Sequence, residues 1–255
     1  MLWYKSWLET RWQFLIGLAV LMLSAAGTVL AYPRVMKLMP MASSLDTGGE
    51  LGERIREAVE LARSYRGYVW SQSFRQNLTQ MVTLFAALLG SGSPLTQGSR
   101  GAALFTLSLP VSRNRLLAVR AAAGLTEFLV LALVPSVLLT LFSPVIGQTY
   151  GIGDALVHGV CLFIAGTVFF SLAFLLSTVF SEVWRPWLLA CAMAAALAAF
   201  ELVVPELSRY SIFRVMSGEV YFRGGGLPWL ELLASAAVSV AMLYVAARNV
   251  ARQDF

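Results

Sequence analysis

Charge is partitioned along this chain rather than spread through it. Six apolar runs, at 14–32, 70–91, 117–141, 155–180, 186–204 and 228–247, make up about half of the 255 residues. They hold only five charged side chains: Arg75, Arg120, Glu127, Glu201 and Glu231. The other 28 of the chain's 19 Lys/Arg and 14 Asp/Glu lie between and beyond those runs. A helical membrane crossing needs roughly 20 apolar residues, and each run is about that long. A water-soluble domain spreads about twice this charge load over its surface. The chain therefore reads as an all-α integral membrane protein: a single domain over 1–255 with six transmembrane helices.

The scarce residue types narrow the chemistry. Cys161 and Cys191 both fall inside apolar runs and cannot form a disulfide framework. His158 is the only histidine, with Asp154 alone near it in sequence. Zinc chemistry and nucleophilic triads need a histidine in a defined constellation, so His158 reads as an interfacial side chain, and neither a metal site nor a catalytic site is expected. The chain has no phosphate-cradling glycine motif. Any ATP that drives it must be hydrolysed on another chain, so the protein itself is not read as an enzyme. The net charge of +5 fits attraction to anionic headgroups rather than to nucleic acid.

Residues 1–13 read as an interfacial helix. Trp3, Tyr4, Trp7, Leu8, Trp12 and Phe14 share one arc, and Lys5, Ser6, Glu9 and Gln13 the other, which places this helix on the bilayer before the chain turns in. Residues 33–69 form an outer segment, punctuated by Pro33, Pro40 and Gly48-Gly49, with an amphipathic helix over 50–66 as a small cap. Pro135 is expected to kink the third span. The fifth span carries seven alanines between Ala190 and Ala199, which suits close packing against another helix or its own copy. Residues 205–227 read as a second outer loop. Six spans place both termini on one side. Assigning them to the cytoplasm leaves the inner loops and termini strongly net positive, although Lys and Arg alone divide evenly between the two sides.

Residues 92–116 form the most informative inner segment. Gly101 to Ser108 suits a short apolar helix at the inner surface. Leu109-Pro110 ends it, because the residue before a proline is pushed out of the helical region. Pro110 and Ser112 suit the start of the next helix, and Arg113 and Arg115 stand where headgroups or a partner's acids would be. The run Leu107-Ser108-Leu109-Pro110-Val111-Ser112-Arg113 resembles the cytoplasmic segment between spans two and three of the permease subunits of type-two ABC exporters. Those subunits also have an N-terminal interfacial helix, six spans and both termini inside. The resemblance implies a multi-pass protein of the cell's inner (plasma) membrane. It implies a pathway formed with a second copy of the chain and two ABC-type ATPase subunits that bind ATP and Mg below. Coupling to them falls to Leu109, Pro110, Ser112, Arg113 and Arg115, and to the short turn holding Glu182, Trp184 and Arg185. A non-transporting membrane scaffold or sensor subunit is the alternative.

Polar residues inside a membrane span mark functional sites by default. In the second span Gln72, Arg75, Gln76, Thr79, Gln80 and Thr83 fall on one helical arc, opposite Phe74, Leu78, Met81, Val82 and Phe85. Gln72, Gln76, Thr79, Gln80 and Thr83 are the expected lining of a substrate pathway, with hydrogen bonding between helices as the competing role. Glu127 has no partner identifiable from sequence.

Overall fold

The computed structural model describes residues 2–43, 59–92, 113–180, 182, 184–204 and 211–252, and every element within them is helical. Helix α1 spans Leu2–Ser43 without a break. At 1.5 Å per residue it is about 63 Å long, some twice the thickness of a bilayer's hydrocarbon core. The turn expected between an interfacial helix over 1–13 and a span over 14–32 is therefore absent. No glycine or proline precedes Gly17, so nothing there loosens the chain or removes a backbone donor. The helix also carries through Pro33 and Pro40, which were expected to punctuate the outer segment. A proline forfeits its own backbone donor, a loss that neighbouring helices can absorb. Ser6, Thr10, Leu21, Ala25, Thr28 and Tyr32 are buried at helical spacing along one face. The aromatic arc of Trp3, Tyr4, Trp7 and Trp12 is exposed.

Helix α2 runs over 65–90. Ser64 caps it, its hydroxyl accepting from the Gly67 amide at 3.1 Å. The helix before it, described over 59–63, stops at that bend. The amphipathic helix expected to run to Arg66 thus ends earlier, and its first part lies outside the described residues. Within α2, Trp70–Leu78 is wound as a π-helix before regular winding resumes over Thr79–Gly90. Thr79 supports the rewinding by donating its hydroxyl to the Phe74 carbonyl, five residues back.

Helix α3 spans Arg113–Phe142 with Pro135 inside it, and a short 3-10 turn follows over Ser143–Ile146. Helix α4 spans Ile152–Ser177 and α5 spans Trp184–Val203. Two short helices, α6 over Ile212–Ser217 and α7 over Glu219–Phe222, precede α8 over Trp229–Arg252. Among the described residues, four helical stretches are long and apolar enough to cross a membrane: Leu2–Leu38, Arg115–Ile146, Ile152–Ser177 and Trp229–Arg252. The other two expected spans also form helices: α2, whose first half carries amide and hydroxyl side chains, and the alanine-rich α5.

Helix α4 is the centre of the bundle and packs against α2, α3, α6 and α8. Its Phe169 and Phe170 are buried with Phe128 and Leu131 of α3. Helix α1 packs on α3. Ala87, Ala173 and Ala190 meet where α2, α4 and α5 come together, the close approach that small side chains allow.

The segment expected as a plain outer loop at 205–227 is partly folded inward. Val215, Met216 and Ser217 of α6 are buried. Ser211 caps α6 by accepting from the Phe213 amide at 3.1 Å, and Gly218, at φ 63°, makes the sharp joint into α7. Trp70 locks this hairpin to α2. Its ring stacks on Phe222 at 4.3 Å and its indole N–H donates to the Ser217 carbonyl at 2.9 Å. Glu219 is buried between Arg214 and Arg223, each with a 2.8 Å contact.

Candidate functional site

The polar arc of α2 divides into two environments. Thr79 and Thr83 are buried. The Thr83 hydroxyl donates to the Thr79 carbonyl at 2.8 Å and lies 3.8 Å from the Met216 sulfur. These two threonines belong to the packing between α2 and its neighbours. Gln72 is half-buried, whereas Arg75, Gln76 and Gln80 are exposed beside Leu84. The structure does not bring the five expected lining residues to one open face; it leaves Gln76 and Gln80 there. Arg75 turns back over the Trp70 ring at 5.7 Å.

Helix α5 touches α2 in its first turn, where the Trp187 indole N–H donates to the Leu84 carbonyl at 3.3 Å. Pro186, Ala190 and Ala194 are its buried line, and all six residues from Ala195 to Phe200 are exposed. Two glutamines and the C-terminal half of α5 from Ala195 to Phe200 are thus uncovered in a single chain. An unpaired amide facing hydrocarbon costs on the order of several kcal/mol. The uncovered face therefore calls for water, a polar ligand or another protein surface.

Of the expected coupling residues, Leu109, Pro110 and Ser112 lie outside the described residues. Arg113 begins α3, with its side chain outside the described ones, and Arg115, two residues on, is exposed. At the second inner turn Arg185 pairs with Glu182 at 3.0 Å and lies over the Trp184 ring at 5.4 Å. All three side chains are accessible to a partner.

A buried polar network where the first turns of α1 meet α3 was not read from the sequence as a unit. Arg120 of α3 lies against α1, with its Nη1 3.1 Å from Glu9 Oε2 and 3.2 Å from the Ser6 carbonyl. Two turns along α3, Glu127 accepts from the Thr10 hydroxyl at 2.6 Å through Oε1. Its Oε2 is buried with no hydrogen-bond partner among the described residues. Glu127 thus gains a partner, on α1. The seven-residue spacing of Arg120 and Glu127, two charges on one face of a span, is the signal that could have found the network.

His158, read as interfacial, is fully buried. The inward fold of α6 and α7 covers the start of α4, where His158 stacks on Phe74 at 4.5 Å and meets Tyr221 edge-on at 5.6 Å. Asp154 pairs with Arg66 at 3.1 Å and accepts from the Tyr221 hydroxyl at 2.8 Å. Burial pushes the Tyr150 phenol up from its ordinary value. Among the described residues no three His, Cys, Asp or Glu side chains are grouped to hold a metal. No family model, curated protein or solved structure matches the chain.

Proposed function

We propose that this chain is the membrane permease subunit of an ATP-driven exporter of the type-two ABC kind. In this reading α1 to α5 and α8 are six spans with both termini cytoplasmic, and a second copy completes the pathway. Two separate ATPase subunits bind ATP and Mg and dock under 92–116 and the Glu182–Arg185 turn. ATP hydrolysis belongs to those subunits. The observation that carries the proposal is the uncovered face of α2 and α5. Gln76 and Gln80 stand exposed within an apolar helical bundle, which suits a helix bordering water or a moving polar substrate. The motif around Pro110 supplies the inner contact in the same reading.

Affinity purification in detergent, followed by identification of the co-purifying chains, tests this directly. An ABC-type ATPase is expected, and Arg113→Glu should dissociate it or uncouple its turnover. A stable complex with a non-ATPase partner would instead favour the scaffold or sensor reading.

The glutamine face gives a separate expected outcome. Gln76→Leu and Gln80→Leu should leave thermal stability within about 0.5 kcal/mol, because exposed positions contribute little to packing. Transport per folded molecule should fall. A loss of stability with normal transport per folded molecule would assign these residues to helix packing instead.

A further inference from the structure

Arg120 joins three separate parts of the chain through one guanidinium. Its Nε donates to the Gly92 carbonyl at 2.9 Å, where the chain leaves the inner end of α2. Its Nη1 reaches the Ser6 carbonyl at 3.2 Å, the Ser6 hydroxyl at 3.5 Å and Glu9 Oε2 at 3.1 Å, all on α1. The arginine itself stands on α3 and is only 8% exposed. Gly92 is shaped for this arrangement, since a Cβ there would collide with Arg120 Nη2. The Thr10–Glu127 bond, one helical turn along α1, forms a second rung between α1 and α3.

A fixed, planar set of donors makes this geometry specific to arginine. A lysine ammonium carries its three donors on one nitrogen and could keep the pair with Glu9, but it lacks the planar fork that here reaches Gly92 through Nε and α1 through Nη1. Burial strengthens each bond and makes any unmade one costly, so the arrangement resists partial opening. The segment expected to receive an ATPase's movement begins directly after Gly92.

We propose that Arg120 is a positioning residue that makes α1, α3 and the inner end of α2 move as one body, so that displacement of the chain beyond Gly92 is carried to α1. The coupling role rests on the permease reading; the mechanical linkage does not. Spin labels at Tyr4→Cys on α1 and Leu84→Cys on α2, both exposed positions, report the linkage in a background with Cys161→Ala and Cys191→Ala. The clamped protein should give one narrow inter-label distance, with and without nucleotide, in the complex with its ATPase. Arg120→Gln should broaden that distribution and lower transport per ATP hydrolysed by about tenfold, a typical coupling magnitude, while ATP turnover persists.

Gly92→Ala, which displaces Nη2 without touching a charge, should reproduce both effects and serves if Arg120→Gln does not fold. A folded Arg120→Gln or Gly92→Ala protein with an unchanged distance distribution and unchanged transport per ATP overturns the proposal. Full function in Arg120→Lys overturns it too. If no ATPase accompanies the unmodified chain, the permease reading fails, and the distance distribution in the chain alone still decides the linkage.

Discussion

Trp70→Ala is expected to lower stability by about 3–5 kcal/mol, the range for removing a large buried aromatic side chain. Trp70 is 1% exposed and serves two elements at once. Its ring covers Phe222 at 4.3 Å with the planes 3° apart, and its N–H fills the Ser217 carbonyl at 2.9 Å. Truncation removes the stack and leaves that carbonyl without its indole donor in a buried site. Trp70→Phe separates the contributions. It can retain an aromatic contact with Phe222 but loses the bond to Ser217, and should cost about 1–3 kcal/mol, the penalty for a buried group left unmade. Thermal unfolding of the detergent-solubilised protein measures both. Equal losses in the two variants would place the whole effect in the hydrogen bond. Protease sensitivity between α6 and α7 should rise in Trp70→Ala, because the hairpin loses its largest anchor on α2.

The second large effect is expected at Gly90. Here α2 and α4 approach backbone to backbone: a Cβ on residue 90 would run into the Phe170 carbonyl oxygen and lie 3.1 Å from Ala173 Cβ. A carbonyl within a helix cannot swing aside as a side chain can, so the two helices must separate. Gly90→Val should cost about 1–3 kcal/mol or more, as overpacking of a fitted contact does. Gly90→Ala should already be destabilising, because the first added carbon meets the obstacle. Gly153→Ala is the matched control. That position has nothing within 4 Å of the added carbon, so the change should stay within about 0.5 kcal/mol. A Gly90→Ala protein as stable as the Gly153→Ala one would show that the α2–α4 contact yields easily.

How much of this was legible in the sequence follows from which physical signal each part leaves. The runs behind α3, α4 and α8 were found within a few residues of their observed ends, because a dense apolar run is one-dimensional information. The course of α1 was misjudged. Aromatic and basic residues near its start mark where a helix prefers to lie, but they do not break backbone hydrogen bonds, and the two prolines each remove one such bond without ending the helix. The stripe on α2 was half legible. A 3.6-residue wheel places Thr79, Thr83, Gln76 and Gln80 together, yet that arc straddles a packing boundary. Short threonines enter the contact with neighbouring helices, and the longer glutamines stay outside. The π-wound turns at Trp70–Leu78 then rotate the preceding residues relative to those that follow. That winding answers a tertiary demand, since Trp70 must meet Ser217 and Phe74 must meet His158. No local pattern encodes it. The polar network was visible only as two isolated charges, because its partners on α1 lie more than a hundred residues away.

Helix α1 acts on the rest of the molecule as a lever. It is about 63 Å of uninterrupted helix, packed along α3 and tied by polar and aromatic contacts at two places. One is the Arg120 and Glu127 pair of contacts near its start. The other is Tyr32, whose ring meets Tyr65 at 4.9 Å and Tyr68 at 5.0 Å, while the Tyr68 hydroxyl donates to the Thr28 carbonyl at 3.1 Å. Gly17 and Gly27 lie between these holds, but the helix runs through both without a break, so the two sets of contacts sit on one continuous element. The two ends of α2, which α1 meets at Gly92 through Arg120 and at Tyr65 and Tyr68 through Tyr32, are thereby joined through a single helix as well as through the π-wound stretch between them.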